Sequence, residues 1–319
     1  MTNRRQFLRN ASLMAATGVL ATNSTVSAAG KALSNVNATK SYGLQIYSLT
    51  VRNAQEFNSD VPGGLKRVAQ MGYTTLELAG YNIEGRVGQV PIAEFKKYAD
   101  DAGLKIVSSH VGPSINEYTK ENIEKGKEVW KKVCEHHASI GCRYVIIPGQ
   151  PSTRSTEEVA MVGEGFNAFG EISKAAGLQF AFHNHSNEFR NVVPGGTEMM
   201  PFGQRGRLQE GVKMVYDGMI EATDPALVQF EMDVYWTVMG MQDPVAYMKK
   251  YANRIRVLHI KDVAILGESG MMNFQKIFET AYANGIANFF VELEGFSVGT
   301  QFEGVKGCAD YLNSARFVR

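Results

Sequence analysis

The stretch of sequence that decides the fold is residues 92–110, IAEFKKYADDAGLKIVSSH. Its first part, residues 92–102, has the apolar spacing of an amphipathic helix, and Gly103 is a residue type that commonly follows a helix end. Residues 104–109 then have the composition of a short β-strand, and His110 follows that strand directly. A helix, a glycine and a strand therefore follow one another without a linker.

The same order recurs along the chain, at Gly72, Gly103, Gly141, Gly177 and Gly285. We predict eight strands, at residues 44–48, 73–78, 104–109, 143–148, 179–182, 228–232, 257–259 and 289–293. Strands that alternate with helices are typical of repeated βαβ units and a parallel sheet. Because no Gly-x-Gly-x-x-Gly turn follows a predicted strand, a closed barrel is favoured over an open, doubly wound sheet. The predicted fold class is α/β, a (β/α)8 TIM barrel over residues 41–319.

The first residues have the pattern of a targeting signal. Arg4 and Arg5 precede a mildly apolar stretch at residues 11–21, and small residues follow at residues 26–29. This pattern predicts a twin-arginine-type signal peptide over residues 1–29, which directs export in the folded state, and a linker over residues 30–40. An ordinary secretory signal is the alternative. We expect an exported, periplasmic protein with no membrane segment after cleavage.

Composition limits the partners. The chain has 33 Lys plus Arg and 32 Asp plus Glu, a formal net charge of +1, so no basic surface for nucleic acid is expected. A small molecule is the expected partner, and the sequence leaves a homo-oligomer open. Cys134, Cys142 and Cys308 lack the spacing of metal ligands, so we interpret them as buried apolar residues, with a Cys134–Cys142 disulfide left open.

Polar residues end the four late predicted strands, where burial is costly unless they are paired or bind something. They are His183 and His185; Glu231 and Asp233; His259, Lys261 and Asp262; and Glu292 and Glu294. Strand side chains alternate, so residues two apart share a face and can converge at one rim of the barrel. Imidazoles mixed with carboxylates suit one divalent ion, Mn²⁺, Zn²⁺, Co²⁺ or Fe²⁺, better than Mg²⁺.

These motifs resemble one known family, the xylose isomerase-like TIM barrels, also called sugar phosphate isomerases/epimerases. The resemblance extends over residues 43–317. It rests on LQIYS at residues 44–48, SHVG at 109–112, FHNHSNEF at 182–189, MDVYW at 232–236, HIKD at 259–262 and ELE at 292–294. Together these motifs are specific for the family but not for a substrate.

The resemblance implies one divalent metal, bound by a carboxylate on the fifth strand and by Asp, His and Glu on the next three. The matching residues are Asp233, His259 and Glu294, which we favour over Glu292 as nearer the strand end. His183 stands where the family usually has glutamate. In this departure the chain resembles inosose dehydratase and related enzymes that eliminate from keto-sugars. The implied metal ligands are therefore His183, Asp233, His259 and Glu294.

The resemblance also implies a function: a metal-dependent sugar isomerase or epimerase that removes a proton next to the carbonyl of a keto-sugar or polyol. The alternative is a lyase or dehydratase, either like inosose dehydratase or cleaving keto-glycosides. An endonuclease IV-like phosphodiesterase would need more metal ligands and a basic face, and a non-catalytic sugar-binding protein is a further alternative. The expected catalytic residues are Glu294, Glu292, His185 and Lys261, and the expected substrate contacts are His110, Trp236 and Glu77.

The arginine pair can be tested directly. We expect the chain to be cut near Ala28 or Ala29, and the double substitution Arg4→Lys with Arg5→Lys to leave the precursor in the cytoplasm, because a twin-arginine route reads both side chains. Cell fractionation with immunoblotting measures this. Normal export of the double variant would exclude the twin-arginine route.

Overall fold

The computed structural model describes residues 40–149, 153–203, 210–295 and 299–319. The predicted signal peptide, residues 1–29, lies outside the described residues, as does the predicted linker up to residue 39. Lys40, the last linker residue, is anchored on the folded chain, because its Nζ donates to the carbonyl oxygens of Leu312, Asn313 and Ala315 at 2.8, 2.9 and 2.5 Å.

Eight parallel strands form a closed barrel, which confirms the predicted (β/α)8 fold. Each strand pairs with the next along the chain, and the last pairs with the first through Gly43 and Phe290. The strands are β1 Gly43–Gln45, β2 Thr75–Leu78, β3 Lys105–His110, β4 Tyr144–Ile147, β5 Gln179–His183, β6 Val228–Asp233, β7 Ile255–Ile260 and β8 Asn288–Val291.

Helices follow every barrel strand. They are α1 Tyr47–Thr50, α2 Ala54–Asn58, α3 Val61–Gln70, α4 Ile92–Asp101, α5 Lys120–Ser139, α6 Thr156–Ala175, α7 Val215–Glu221, α8 Val234–Met239, α9 Pro244–Lys250, α10 Phe274–Ala283 and α11 Gln301–Ser314. A 3₁₀ helix spans Asn187–Phe189. Two small antiparallel sheets lie in the loops: Tyr81–Asn82 with Arg86–Val87 and Val90–Pro91, and Asn191–Val192 with Lys213–Met214.

Local signals explain most helix bounds. Thr119 and Ser155 cap α5 and α6 by accepting backbone N–H groups, and Gly103 after α4 has φ +78°, which suits glycine. The predicted strand at residues 44–48 is wrong in its second half. There the Gln45 side chain accepts the Tyr47 N–H at 3.1 Å, and the chain turns into α1.

The barrel interior changes from apolar to polar along the strands. Tyr144, Ala181, Val257 and Phe290 form an apolar cluster inside the barrel. Two residues further along the chain from Ala181, Val257 and Phe290, the same inward face carries His183, His259 and, just after β8, Glu292. A side chain larger than hydrogen at Gly43 would lie about 2.5 Å from the Phe290 ring, so this apolar layer is closely packed. The polar residues therefore gather at the carboxyl-terminal end of the barrel.

The outer face of the strands packs against the helices. Phe166 on α6 is fully buried and contacts Phe180 and Phe182 of β5, with ring centroids 5.3 and 5.2 Å apart. The three cysteines are buried and unbridged, so the Cys134–Cys142 disulfide left open above does not form in this structure. Within the described ranges, no helix is both long enough and apolar enough to cross a bilayer.

The Phe166 contact gives a stability prediction. We expect Phe166→Ala to lower the free energy of unfolding by about 3–5 kcal/mol, because it leaves a cavity between α6 and β5. The matched control is Phe202→Ala, at a position with 37% exposure, which should change it by less than about 1 kcal/mol. Urea titrations followed by circular dichroism measure both variants. Equal losses would show that this contact does not stabilise the barrel.

Candidate active site

The strand register brings the late polar residues together. In the parallel pairing of β6 with its neighbours, His183 lies beside Glu231, and Asp233 lies beside His259. Residues side by side in a parallel sheet point to the same face, and here that face is the barrel interior. Active sites of this fold lie at the carboxyl-terminal end of the barrel.

Four of these residues form a group that we call the outer cluster: His183, Asp233, His259 and Glu292. One possible ligand atom from each lies within 4.8 Å of all the others, and all four side chains are buried. His183 Nε2 is 3.6 Å from Asp233 Oδ2, and His259 Nδ1 is 3.9 Å from Asp233 Oδ2 and 3.4 Å from Glu292 Oε2. Donors spaced in this way can surround one cation.

The outer cluster also contains unsatisfied polar atoms. Neither ring nitrogen of His183 has a hydrogen-bond partner among the described residues, and neither has Asp233 Oδ2. The other carboxylate oxygen of Asp233 caps α8 by accepting the Trp236 N–H at 2.8 Å. Because buried polar atoms are normally paired, these free atoms fit a divalent cation bound between them.

The pKa values of the outer-cluster residues also suit a bound divalent cation. Burial lowers the pKa of His183 well below its ordinary value, which leaves the ring neutral and able to act as a ligand. Burial raises the pKa of Asp233, a cost that a bound cation would offset. Burial also disfavours the charge of Glu292, but Lys261 and His259 outweigh it and hold the pKa of that carboxyl well below its usual range.

Glu292, and not Glu294, joins this group. The side chain of Glu294 is 36% exposed, and its Oε1 accepts from Lys261 Nζ at 2.5 Å. Lys261 also donates to Glu292 Oε2 at 2.9 Å and is itself 1% exposed. The structure therefore places Glu294 at the mouth of the site, with Lys261 between the two glutamates. Of the two glutamates that we considered as a ligand, Glu292 has the better position.

Lys261 keeps its charge in this position. Burial works against the ammonium, but Glu292, Asp233 and Glu294 outweigh it and raise the pKa of Lys261 above its ordinary value. Lys261 Nζ also lies 4.8 Å from the centroid of the Trp236 ring. A permanent cation at this point can stabilise negative charge on a bound molecule but cannot accept a proton.

His185 lies next to the outer cluster and is partly buried. Its ring centroid is 4.9 Å from that of His183 and 5.6 Å from that of Trp236. Burial, together with His183, lowers the pKa of His185 to about 4, so its imidazole is neutral near pH 7. A neutral imidazole has one nitrogen that can accept a proton. The predicted base, His185, and the predicted sugar contact, Trp236, therefore lie side by side next to the outer cluster.

A second group lies deeper in the barrel, and we call it the inner cluster: Glu77, His110, Glu231 and His259. His110 Nε2 is 2.8 Å from Glu231 Oε2 and 3.1 Å from Glu77 Oε1. Burial opposes the charge of His110, but these two carboxylates outweigh it and raise its pKa to about 9. Burial, with Glu77 next in importance, raises the pKa of Glu231 to about 7.

The two early residues that we expected to contact substrate are therefore engaged in the inner cluster. Glu77 is fully buried, and its oxygens accept from Gln45 Nε2 at 2.7 Å and Ser108 Oγ at 2.5 Å, besides the histidines. The side chain of His110 is 10% exposed. Their geometry is that of a network beneath the outer cluster.

Several supporting residues escaped the sequence analysis. Asn184 Oδ1 accepts the Asp233 N–H at 3.3 Å, and Glu188 Oε2 accepts the His185 N–H at 2.8 Å. Both residues belong to the FHNHSNEF motif, so the motif was the sequence signal that could have identified them. Asp262, noted at a strand end, instead accepts the N–H groups of Val263 and Gly267 and so shapes the loop after β7.

Comparison with known proteins agrees with this architecture. The family profile described as xylose isomerase-like TIM barrel matches residues 65–316. A crystal structure named sugar phosphate isomerase/epimerase, from Parabacteroides distasonis, is 48% identical in sequence, with a TM-score of 0.79 over 88% of this chain and 100% of that one. The 3-keto-D-glucoside 4-epimerase of E. coli shares the fold, with a TM-score of 0.63 at 15% identity over 87% of this chain and 100% of that one.

A curated relative is the inosose dehydratase of Geobacillus kaustophilus, which is 22% identical over 231 residues. The match includes 65% of this chain and 66% of the relative, so the chain spans just under two thirds of that protein's length. The profile match extends over most of the barrel described above and confirms the resemblance inferred from the motifs. The chain belongs to the xylose isomerase-like TIM barrel family.

Proposed function

We propose that this protein is a metal-dependent sugar isomerase or epimerase that removes a proton next to the carbonyl of a keto-sugar or polyol. One observation carries the proposal: the outer cluster converges at the open end of the barrel, with unpaired atoms on His183 and Asp233, beside the cation of Lys261. The relatives named as isomerase/epimerase and as epimerase support this class of reaction.

The residues that would hold the metal are His183, Asp233, His259 and Glu292. Two imidazoles with two carboxylates suit one Mn²⁺, Zn²⁺, Co²⁺ or Fe²⁺ ion better than Mg²⁺. When bound, a divalent ion polarises a carbonyl group and so acidifies the neighbouring C–H bond.

The chain's own residues divide the remaining work. Lys261 donates hydrogen bonds and positive charge to the oxygen that becomes negative as the proton leaves. The neutral imidazole of His185 can accept a proton from one side of the substrate. Glu294, whose side chain reaches the mouth of the site, is the candidate for returning a proton. Trp236 presents a flat ring to the apolar face of a sugar, next to both His185 and Lys261.

A specific observation favours a second candidate, a lyase or dehydratase. His183 stands on β5 where the family usually has glutamate, so an epimerase mechanism that uses two carboxylates as acid and base would lack one of them. The curated relative above is an inosose dehydratase. On the same site, departure of a substituent from the neighbouring carbon would replace the return of the proton. The first step, removal of the proton, is common to both outcomes.

The compartment bears on the substrate. Residues 1–29 support the proposal that the protein is exported, to the periplasm, by a twin-arginine signal. Because phosphorylated sugars are mostly cytoplasmic, we propose a free or glycosidic keto-sugar as substrate. The near balance of 33 basic and 32 acidic residues argues against nucleic acid as a partner.

The metal can be tested by elemental analysis and by titration of metal-free protein. We expect one divalent ion per chain, which Asp233→Ala and His259→Ala should abolish, because three remaining ligands leave the site open to water. Glu292→Gln should weaken affinity at least about tenfold, since a ligand is lost. The matched control Glu294→Gln should retain stoichiometric metal. Purified wild-type protein that holds no metal and is unaffected by chelators would contradict the assignment.

The chemistry can be tested by incubating keto-sugars and keto-glycosides with the enzyme in D₂O. We expect deuterium at the carbon next to the carbonyl, followed by sugar of unchanged formula for an isomerase or epimerase, or by release of water or an aglycone for a lyase or dehydratase. Mass spectrometry and NMR measure both products. His185→Ala should lower turnover by about 100-fold or more but keep the metal, since a general base accelerates the reaction by a factor of about 10²–10⁴.

His183→Ala should lose both metal and turnover, because His183 contributes a ligand atom. The control His136→Ala should retain both, since the His136 ring contacts Tyr81 and belongs to neither cluster. Full activity and full metal content in both the His183 and the His185 variants would contradict the roles assigned to these histidines. Bound metal without exchange on any keto-sugar would indicate a sugar-binding protein.

A further inference from the structure

His259 belongs to both clusters, and its two ring nitrogens face different ways. Nδ1 faces the outer cluster, 3.4 Å from Glu292 Oε2. Nε2 faces the inner cluster, 2.5 Å from Glu77 Oε1 and 3.3 Å from Glu231 Oε2. The ring therefore connects the proposed metal site to the network beneath it.

A neutral imidazole has a lone pair on one nitrogen and a hydrogen on the other. His259 can therefore bind a metal through only one of its clusters. The Glu77 carboxylate also accepts from Gln45 Nε2 and Ser108 Oγ. Because a carboxylate has no hydrogen to donate, it is the acceptor in its contact with His259 Nε2 as well. A histidine that binds a metal must be neutral. In that state Nε2 carries the hydrogen, which leaves Nδ1 with its lone pair directed into the outer cluster.

We propose that Glu77 is a positioning residue for the metal: by accepting the Nε2–H of His259, it fixes the ring orientation and makes Nδ1 the ligand atom. This inference rests on the metal site of the proposed function. A carboxylate that accepts the far N–H of a metal-binding histidine both orients the ring and raises its basicity. The inner cluster is then a support for a single metal and not a second metal site.

The backbone and the neighbouring ring support this role. The strand register shifts next to Glu77, where β2 pairs with β3, and next to Glu231, where β6 pairs with β7. Such irregularities re-aim side chains, and here both occur beside the carboxylates nearest His259 Nε2. His110 lies stacked on His259, with centroids 5.1 Å apart and ring planes 13° apart, and contacts both carboxylates. The His259 ring is thus restrained at its edge and on its face.

The test is a metal titration of metal-free Glu77→Gln, using Zn²⁺ and Co²⁺ alone as probes. We expect one ion per chain, as in the wild type, with a dissociation constant raised about 10–100-fold. Glu77→Asp, which restores the carboxylate, should recover part of that loss. The matched control Glu171→Gln changes an exposed glutamate on α6 and should bind like the wild type. The melting temperature of the metal-free proteins is measured in parallel, because a merely structural role would lower it without changing affinity.

If Glu77→Gln does not fold, Ser108→Ala provides the same test, since it removes the donor to Glu77 Oε2 and should weaken metal binding in the same direction but less. Unchanged affinity in these variants overturns the inference while leaving the proposed metal site intact. Two ions in the wild type and one in Glu77→Gln also overturn it, because Glu77 would then be a ligand. Wild-type protein that binds no metal contradicts the proposed function itself.

Discussion

Buried charge inside the barrel is the constraint on which the rest of this structure depends. Glu77, Glu231, Asp233, His259 and Lys261 are all 1% exposed or less, and an isolated buried charge is very costly. Pairing offsets most of this cost in the inner cluster, where carboxylates and imidazoles alternate at hydrogen-bond distances and Glu231 Oε1 is left without a hydrogen-bond partner among the described residues. The outer cluster keeps unpaired atoms on His183 and Asp233, and a bound cation is the simplest compensation.

The fold makes this arrangement possible by separating two tasks along each strand. The amino-terminal part of the interior is closed by an apolar layer that includes Val257 and Phe290. The next inward residues, His259 and Glu292, are polar and lie toward the open end. Phe180 and Phe182, on the outer face of β5, pack against α6 and anchor the strand that carries His183. The residues that stabilise the barrel thus lie on the outer face and at the amino-terminal end of the strands, whereas the polar residues of the candidate site lie on the inner face at the carboxyl-terminal end.

The site combines fixed and accessible groups in a way that suits proton transfer next to a carbonyl. Lys261 remains a cation between Glu292 and Glu294, while His185 remains a neutral imidazole beside Trp236. Groups that are held before substrate arrives need little reorganisation during the reaction. Family membership supports the proposal of an enzyme that acts on a sugar, and the histidine on β5 is the feature that leaves elimination as a competing proposal.

The sequence by itself determined the barrel and the polar ends of its late strands, because hydrophobic periodicity and helix-ending glycines are local signals. It also pointed to His183, Asp233 and His259 through alternation along each strand. Only the tertiary structure shows that Glu292, and not Glu294, lies with these three side chains. Alternation directs both glutamates to one face, whereas β8 ends at Val291 and the chain then leaves the barrel. Only the tertiary structure joined Glu77 on β2 to His259 on β7 across the interior, because contacts between residues 182 positions apart leave no local pattern.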